Sequence, residues 1–547
     1  MKNKLLISGA SLLMLFMALN LFGQKVIEGV GPLSNKAAKG YTMQGTTFEE
    51  NGNVNILYKI KGDKNKDELF YELYSFDKDL KFLEGKSVKE PKVETKPDKT
   101  VKYLGAWVGG FSSFDVLSMK LKVFMKEANQ KWDYKKQQYV TDKVISDEVV
   151  KLKTEAGRSY LGVAEYRNEE SQNLVVLAYY ETGDKKNPKQ YVLLNIDKDG
   201  GVKEKNIDVS GAYSMVFCQE ITEEAPGKSV GKQDFVVVLA PKSGNGDATK
   251  YVYLHYDIKG TLKNKVEFTS PSSNLLVNSV DVKNGEVFMS ALSTKSKDAY
   301  EEVFKDYASI SNPGGGPDEE NFQLSKYNKA ASEEMDNLHL LKFSGNKLVF
   351  ATTQAISDFK AKKQIAVGEK SGKVYNGKKF FVQNFEVTPN NEFLVSGQTT
   401  FMQTINNVPV KGYGDIICFH FDSQGQIKAQ YAVDKLYEDK ASETSSMPQT
   451  FFVTADGKSA YWEIIEFKME KDFFGNLTEH YFPRIVKIDL AKATLGEFKY
   501  PGNKKYYIYT GDDGSITMYF DANTATRTYV GIGIKDKDIW VSKVMFD

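Results

Sequence analysis

Apolar and polar residues alternate with a period of two along nearly the whole chain from about residue 41 onward. Successive side chains of a strand leave opposite faces, so this period predicts β-strands. Residues 53–60 and 70–76 alternate cleanly, and 174–180 is a near-continuous apolar run, the pattern of a strand covered on both faces. Short clusters of turn formers separate the runs, among them Asp199-Gly200, Lys259-Gly260 and Gln424-Gly425.

Six of the runs end alike: Ser75-Phe76-Asp77, Asn195-Ile196-Asp197, His255-Tyr256-Asp257, Lys342-Phe343-Ser344, His420-Phe421-Asp422 and Lys487-Ile488-Asp489. Each reads as the same hairpin corner, with the Asp bonding its own backbone. One further strand precedes each unit, as at 275–282 and 380–387, which makes units of four antiparallel strands about sixty to ninety residues apart. A repeat of that kind predicts an all-β chain, a β-propeller of about seven four-stranded blades, with six and eight also compatible. Residues 100–150 have room for one of these units, and 506–546 for strands that complete a blade with N-terminal ones.

Two excursions interrupt the rhythm, at about 293–337 and 357–379. In the first, Ala299, Tyr300, Val303, Phe304 and Tyr307 recur at helical spacing, ahead of a Pro/Gly-rich tip at 312–317. This one helical insertion is the expected partner-binding element, carried by Tyr300, Phe304, Tyr307, Gly314, Gly315 and Gly316; its apolar stripe could equally pack down onto a blade. The second is dense in Lys, at 360, 362, 363, 370, 373, 378 and 379, and reads as a solvated face or an anion-binding one.

The first 24 residues carry Lys2 and Lys4 ahead of a mostly apolar stretch, then Gly23-Gln24, the form of a cleaved signal peptide. The expected division is therefore 1–24 signal peptide and 25–547 a single propeller domain. No other window approaches the length of a transmembrane helix. Removing Lys2 and Lys4 takes the formal net charge from +1 to −1, and only four cations are Arg, which argues against nucleic acid as a partner. Cys218 and Cys418 sit in apolar runs and read as buried free thiols rather than a disulfide framework.

Candidate chemistry is sparse. His255 and His420 occupy one register of the repeat, so they should lie in different blades and not converge on a metal. The Asp at 77, 197, 257, 422 and 489 are read as turn residues, and the Asp/Gly turn at 511–515 lacks the spaced ligands of a calcium loop. No nucleophile elbow, phosphate loop or zinc motif is present. The expectation is thus no catalytic, cofactor-binding or metal residue, and no cofactor, with a small-molecule ligand undetermined.

The four-strand unit with its Asp-x-x-Gly corner resembles degenerate β-propeller proteins exported by bacteria, over about residues 41–547. No Trp-Asp, Gly-Gly or Asp-box signature of better-defined propeller families recurs from unit to unit, Trp132-Asp133 standing alone, so no functional residue carries over. The resemblance implies a scaffold or accessory subunit of a cell-envelope complex, with an envelope or outer-membrane protein as partner. It places the chain in the periplasm or on the periplasmic face of the outer membrane, ahead of the cell surface. The alternative is a glycan-active hydrolase or lyase, or a carbohydrate-binding module; a non-catalytic role is expected ahead of an enzymatic one.

Overall fold

The structure, a computed structural model, describes residues 25–546 apart from internal stretches, of which 109–120, 305–333 and 509–517 are the longest. It is all-β, built of small antiparallel sheets whose strands follow chain order. Sheet 1 is Met43–Phe48, Val54–Ile60, Glu68–Phe76 and Phe82–Pro91. Sheet 2 has three strands, Lys99–Val108, Leu121–Asp133 and Gln138–Val150. Sheet 3 runs from Leu161–Arg167 through Leu174–Glu181 and Lys189–Ile196 to Val202–Asn206. Sheet 4 runs from Tyr213–Glu223 through Lys232–Pro241 and Lys250–Asp257 to Leu262–Thr269.

Sheet 5 comprises Leu276–Lys283, Glu286–Ser293, Asn337–Ser344 and Lys347–Ala355, and sheet 6 comprises Phe380–Val387, Phe393–Ile405, Val408–Phe421 and Ile427–Val433. The last sheet has nine strands but consists of two ladders. One holds Gln449–Val453, Ser459–Lys471 and Leu477–Asp489; the other holds Tyr506–Ile508, Thr526–Gly533, Asp538–Met545 and the N-terminal strand Lys25–Pro32. They join at a single residue pair, Tyr481 with Ile508. Lys25–Pro32 pairs antiparallel with Asp538–Met545 along its whole length, so the two ends of the chain share one sheet.

The alternation seen in the sequence is burial alternation: Val54, Ile56, Tyr58 and Ile60 point inward and their neighbours outward. Leu174–Ala178 is buried at every position, as expected for a strand with sheets on both sides. Apolar clusters join consecutive sheets: 2 with 3, 3 with 4, 4 with 5 and 6, and 6 with the first C-terminal ladder. Ile485 and Ile508 lie in a cluster uniting the two C-terminal ladders, and Val541 packs with Ile56 of sheet 1. The first strands of sheets 4, 5 and 6 also lie side by side.

The repeat extends to irregularities. The third-to-fourth strand ladder slips by one residue after Ser75, His255, Lys342 and His420, the same place in four sheets. Asp77, Asp197, Asp257 and Asp422 each accept two backbone N–H groups through Oδ1, from the residues two and four positions on, at 2.8–2.9 Å. The residue three after the Asp has positive φ: Gly at 200, 260 and 425, but Leu80 in sheet 1. Since the sheets are meanders, these turns lie at one end of the strands. The second-to-third connection of sheet 5 (294–336) and the connection from sheet 5 to sheet 6 (356–379) lie at the other end.

Candidate functional site

The insertion end is assembled from long-range polar contacts. Asn274, fully buried, accepts the Thr294 N–H at 2.9 Å and donates to the Ser296 carbonyl at 2.8 Å. Ser273 Oγ donates to the Asp298 carbonyl at 2.9 Å. These bonds fix the rising limb of the insertion, which then forms a four-residue helix, α1 (Tyr300–Val303). The falling limb returns with Asp336 N–H on the Ser293 carbonyl at 2.9 Å, and Asp336 Oδ2 receives the Lys295 N–H at 2.8 Å. The second excursion locks onto it: Met335 N–H donates to the Gly377 carbonyl at 2.8 Å and Asn376 Nδ2 to Glu334 Oε1 at 2.8 Å. A Cβ on Gly377 would stand 2.1 Å from the Met335 carbonyl oxygen, so only glycine permits this approach.

Of the residues expected to face a partner, Tyr300 and Phe304 are fully buried in the core that unites sheets 4, 5 and 6, their rings 4.9 Å apart. The stripe packs down onto the sheets. Tyr307, Gly314, Gly315 and Gly316 lie outside the described residues.

Two hollows flank the limbs. One of about 440 Å³ opens between sheets 4 and 5 and is rich in hydroxyls, with Ser293, Lys295, Lys297, Asn337 and His339 among its lining. The other, about 760 Å³, lies between the limbs and the second excursion, beside Glu334, Asp336, Ser357 and Asn376. Ser293 Oγ is 2.8 Å from His339 Nε2, and His339 Nδ1 lies 3.2 Å from the Thr352 carbonyl and 3.1 Å from Thr353 Oγ1. A carbonyl only accepts, so Nδ1 carries the proton and Ser293 donates to Nε2. That is the polarity of a nucleophile–base pair. Burial opposes that use: Ser293 and His339 are 0% and 1% exposed, and desolvation lowers the imidazole to about 4, a weak base at neutral pH. The pair acts as a strut across the base of the insertion. Nothing in the sequence signals it, because the partners stand 46 residues apart and only the sheet 5 ladder brings them together.

His255 and His420 sit in sheets 4 and 6, each with its own carboxylate. Asp234 Oδ2 is 2.9 Å from His255 Nε2, and Glu392 Oε2 is 2.7 Å from His420 Nε2. Lys263 and Lys428, both at the slipped position of the fourth strand, bond the same carboxylates. In sheet 5 Lys342 takes the histidine's place and meets Glu286 at 2.6 Å. The corner therefore carries a recurring acid–base pair that ties second strand to third. Among the described residues no three His, Cys, Asp or Glu side chains are grouped to hold a metal. Cys218 and Cys418 are buried free thiols in separate sheets.

The second excursion leaves sheet 5 through a short helix, α2 (Phe359–Lys362), whose Phe359 is fully buried against Phe419, ring centroids 5.5 Å apart. Lys363–Gln364 then pairs parallel with Gln430 and Tyr431 on the outer strand of sheet 6, and Val367 N–H reaches the Gly496 carbonyl at 2.9 Å. This strap covers an edge that would otherwise offer open N–H and C=O groups.

No protein-family model and no curated protein matches the chain. Solved structures resemble it only distantly. A Synechocystis apocarotenoid oxygenase mutant is 9% identical over 82% of this chain and 92% of its own, with a TM-score of 0.31. A puromycin hydrolase mutant is 10% identical over 90% of this chain, with a TM-score of 0.26, and this chain spans 59% of its length. A mannose phosphorylase from Leishmania mexicana is 7% identical over 61% of this chain and 84% of its own, with a TM-score of 0.20.

Proposed function

We propose that the sheets close into a β-propeller of seven or eight blades that works as an exported, non-catalytic binding scaffold of the cell envelope. Closure is supported by the order of the apolar clusters and by the N-terminal strand, which completes the last ladder. Cleavage near Gln24 would leave that strand whole. Counting the two C-terminal ladders as separate blades makes eight units; counting them as one makes seven.

The observation that carries the binding reading is the interlock of both excursions at one end of the sheets, through Met335 with Gly377 and Glu334 with Asn376. Long connections anchored this firmly at their bases form a platform for a partner at the periplasmic face of the outer membrane. The test replaces residues 308–331 with a short Gly/Ser link, keeping Tyr300, Phe304 and Met335. A variant that melts like the parent but loses its envelope partner on cross-linking in the native host supports the reading; one that keeps every partner overturns it. N-terminal sequencing of the host protein should begin near Gln24 or Lys25, and a start at Met1 would remove the export argument.

One observation favours a glycan-active enzyme as the second reading. Asp281, on the first strand of sheet 5, is raised by desolvation to about 6, the range of a general acid, with Ser279 Oγ at 3.1 Å from its carboxylate. Hydrolysis of a polysaccharide panel that disappears in Asp281→Asn would put this reading first.

A further inference from the structure

The strap presents a second surface, outside the platform. Of residues 357–367 only Asp358 is acidic, and it receives the Ser357 hydroxyl. Lys360, Lys362 and Lys363 have no carboxylate within ion-pair distance among the described residues. The acids nearest in the strap's course are engaged elsewhere: Glu369 with Arg484 at 3.8 Å and Glu497 with Lys499 at 2.8 Å. The strap continues with two wetted apolar side chains, Ile365 at 38% and Val367 at 63% exposure, while Ala366 between them is buried. The outward set is held in place: Phe359 anchors one end, the pairing with Gln430 and Tyr431 the middle, and the bond to Gly496 the other end.

We infer that this strap is a membrane-surface contact, docking on an anionic lipid headgroup layer with its three lysines against phosphates and Ile365 and Val367 in the interfacial zone. Charge complementarity selects an anionic surface, since uncompensated lysines beside a bilayer gain from its surface potential. The apolar pair selects a bilayer over a soluble polyanion. A polymer in water gains nothing from Ile365 and Val367, whereas an interface removes both from water. Pre-ordering by the anchors lowers the entropy lost on docking. The inference is independent of how the sheets close.

The experiment is flotation of the full mature chain with vesicles of phosphatidylcholine alone or mixed with phosphatidylglycerol. The chain should float with the mixed vesicles, less so as salt rises. Lys360→Gln/Lys362→Gln/Lys363→Gln should partition on the order of a hundredfold less, at the strength expected per lysine. Ile365→Ser/Val367→Ser should weaken binding at all salt concentrations. Four of the five sites are exposed and Lys363 is half-buried, and thermal melts would verify the fold. A control triple, Lys81→Gln/Lys86→Gln/Lys203→Gln, should bind as the parent does. Equal flotation with neutral vesicles, or unchanged binding by the strap's triple variant, overturns the inference. So does unchanged binding by Ile365→Ser/Val367→Ser together with equal capture on dextran sulfate, which would make the strap a general polyanion site.

Discussion

The two ends of the sheets are built by different rules. At one end the third-to-fourth turn is the same four times over: an Asp, its Oδ1 on two backbone N–H groups, and a residue of positive φ three places later. At the other end the two long excursions differ from each other, and the contacts that hold them are long in sequence: Asn274 with Thr294, Ser293 with His339, Met335 with Gly377. The turn is a local solution that five residues suffice to specify. The insertion end is a tertiary one, where each limb is placed by a neighbour from another sheet. Local turns can be copied from unit to unit, while tertiary contacts leave each connection free to diverge, which is where binding surfaces arise.

The largest expected effect lies at the insertion end. Tyr300→Ala or Phe304→Ala empties a fully buried site and should cost about 3–5 kcal/mol, read as a shift in urea midpoint. A loss below about 1 kcal/mol, the level of a surface change, would mean that the insertion is not core and that the two ends differ less than described.

Individual buried groups should next differ in pH dependence, His339 at the insertion end against Asp281 at the turn end. His339 has a folded value near 4, below its unfolded one, so its contribution is complete above about 6.5 and is lost as pH falls toward 4, about 3 kcal/mol in all. The same burial lowers His420, which adds in the same direction. Asp281 behaves oppositely: its folded value near 6 exceeds the unfolded one, so its penalty grows as pH rises from about 4 to 6. His339→Gln should flatten the acid side of a stability–pH curve, whereas Asp281→Asn should raise stability at pH 7 by about 3 kcal/mol. A shared sign for the two variants would break this account.

Glycine at the corner comes next. Gly425 has φ of 76°, and a Cβ there would meet Phe350 at 2.7 Å, so Gly425→Ala should cost about 1–3 kcal/mol. The smallest effect is the Asp itself. Asp257→Ala removes an acceptor from two exposed N–H groups and should cost about 1 kcal/mol. Paired with Asp422→Ala, in a separate sheet, it should add without coupling, as measured by a double-mutant cycle.

Much of the architecture was legible in the chain. Strand periodicity and the Asp turns depend on residues within a few places of one another, and four of the six corners carry the same turn; the corner at Ser344 has no Asp, and Asp489 instead accepts the Lys492 N–H at 2.9 Å. The recurring acid–base pair was half legible: His255 and His420 shared a register, but their partners Asp234 and Glu392 lie a strand away. The pairing of the chain ends was legible in outline: strands within 506–546 meet an N-terminal one, as Asp538–Met545 does with Lys25–Pro32. The helical stripe was read correctly as amphipathic, yet periodicity says only that one face is apolar, never whether that face meets a partner or the protein's own core.

By itself the sequence determined the element type, the repeat and the chemistry of its turns, because backbone hydrogen bonding and side-chain alternation act over a few residues. Only the tertiary structure decided that Tyr300 and Phe304 point inward, that Ser293 and His339 meet, and that Lys360, Lys362, Lys363, Ile365 and Val367 share one held strap. Those outcomes depend on which sheets stand beside one another, and adjacency between sheets is set by the packing of apolar faces from all along the chain, a sum no local pattern records.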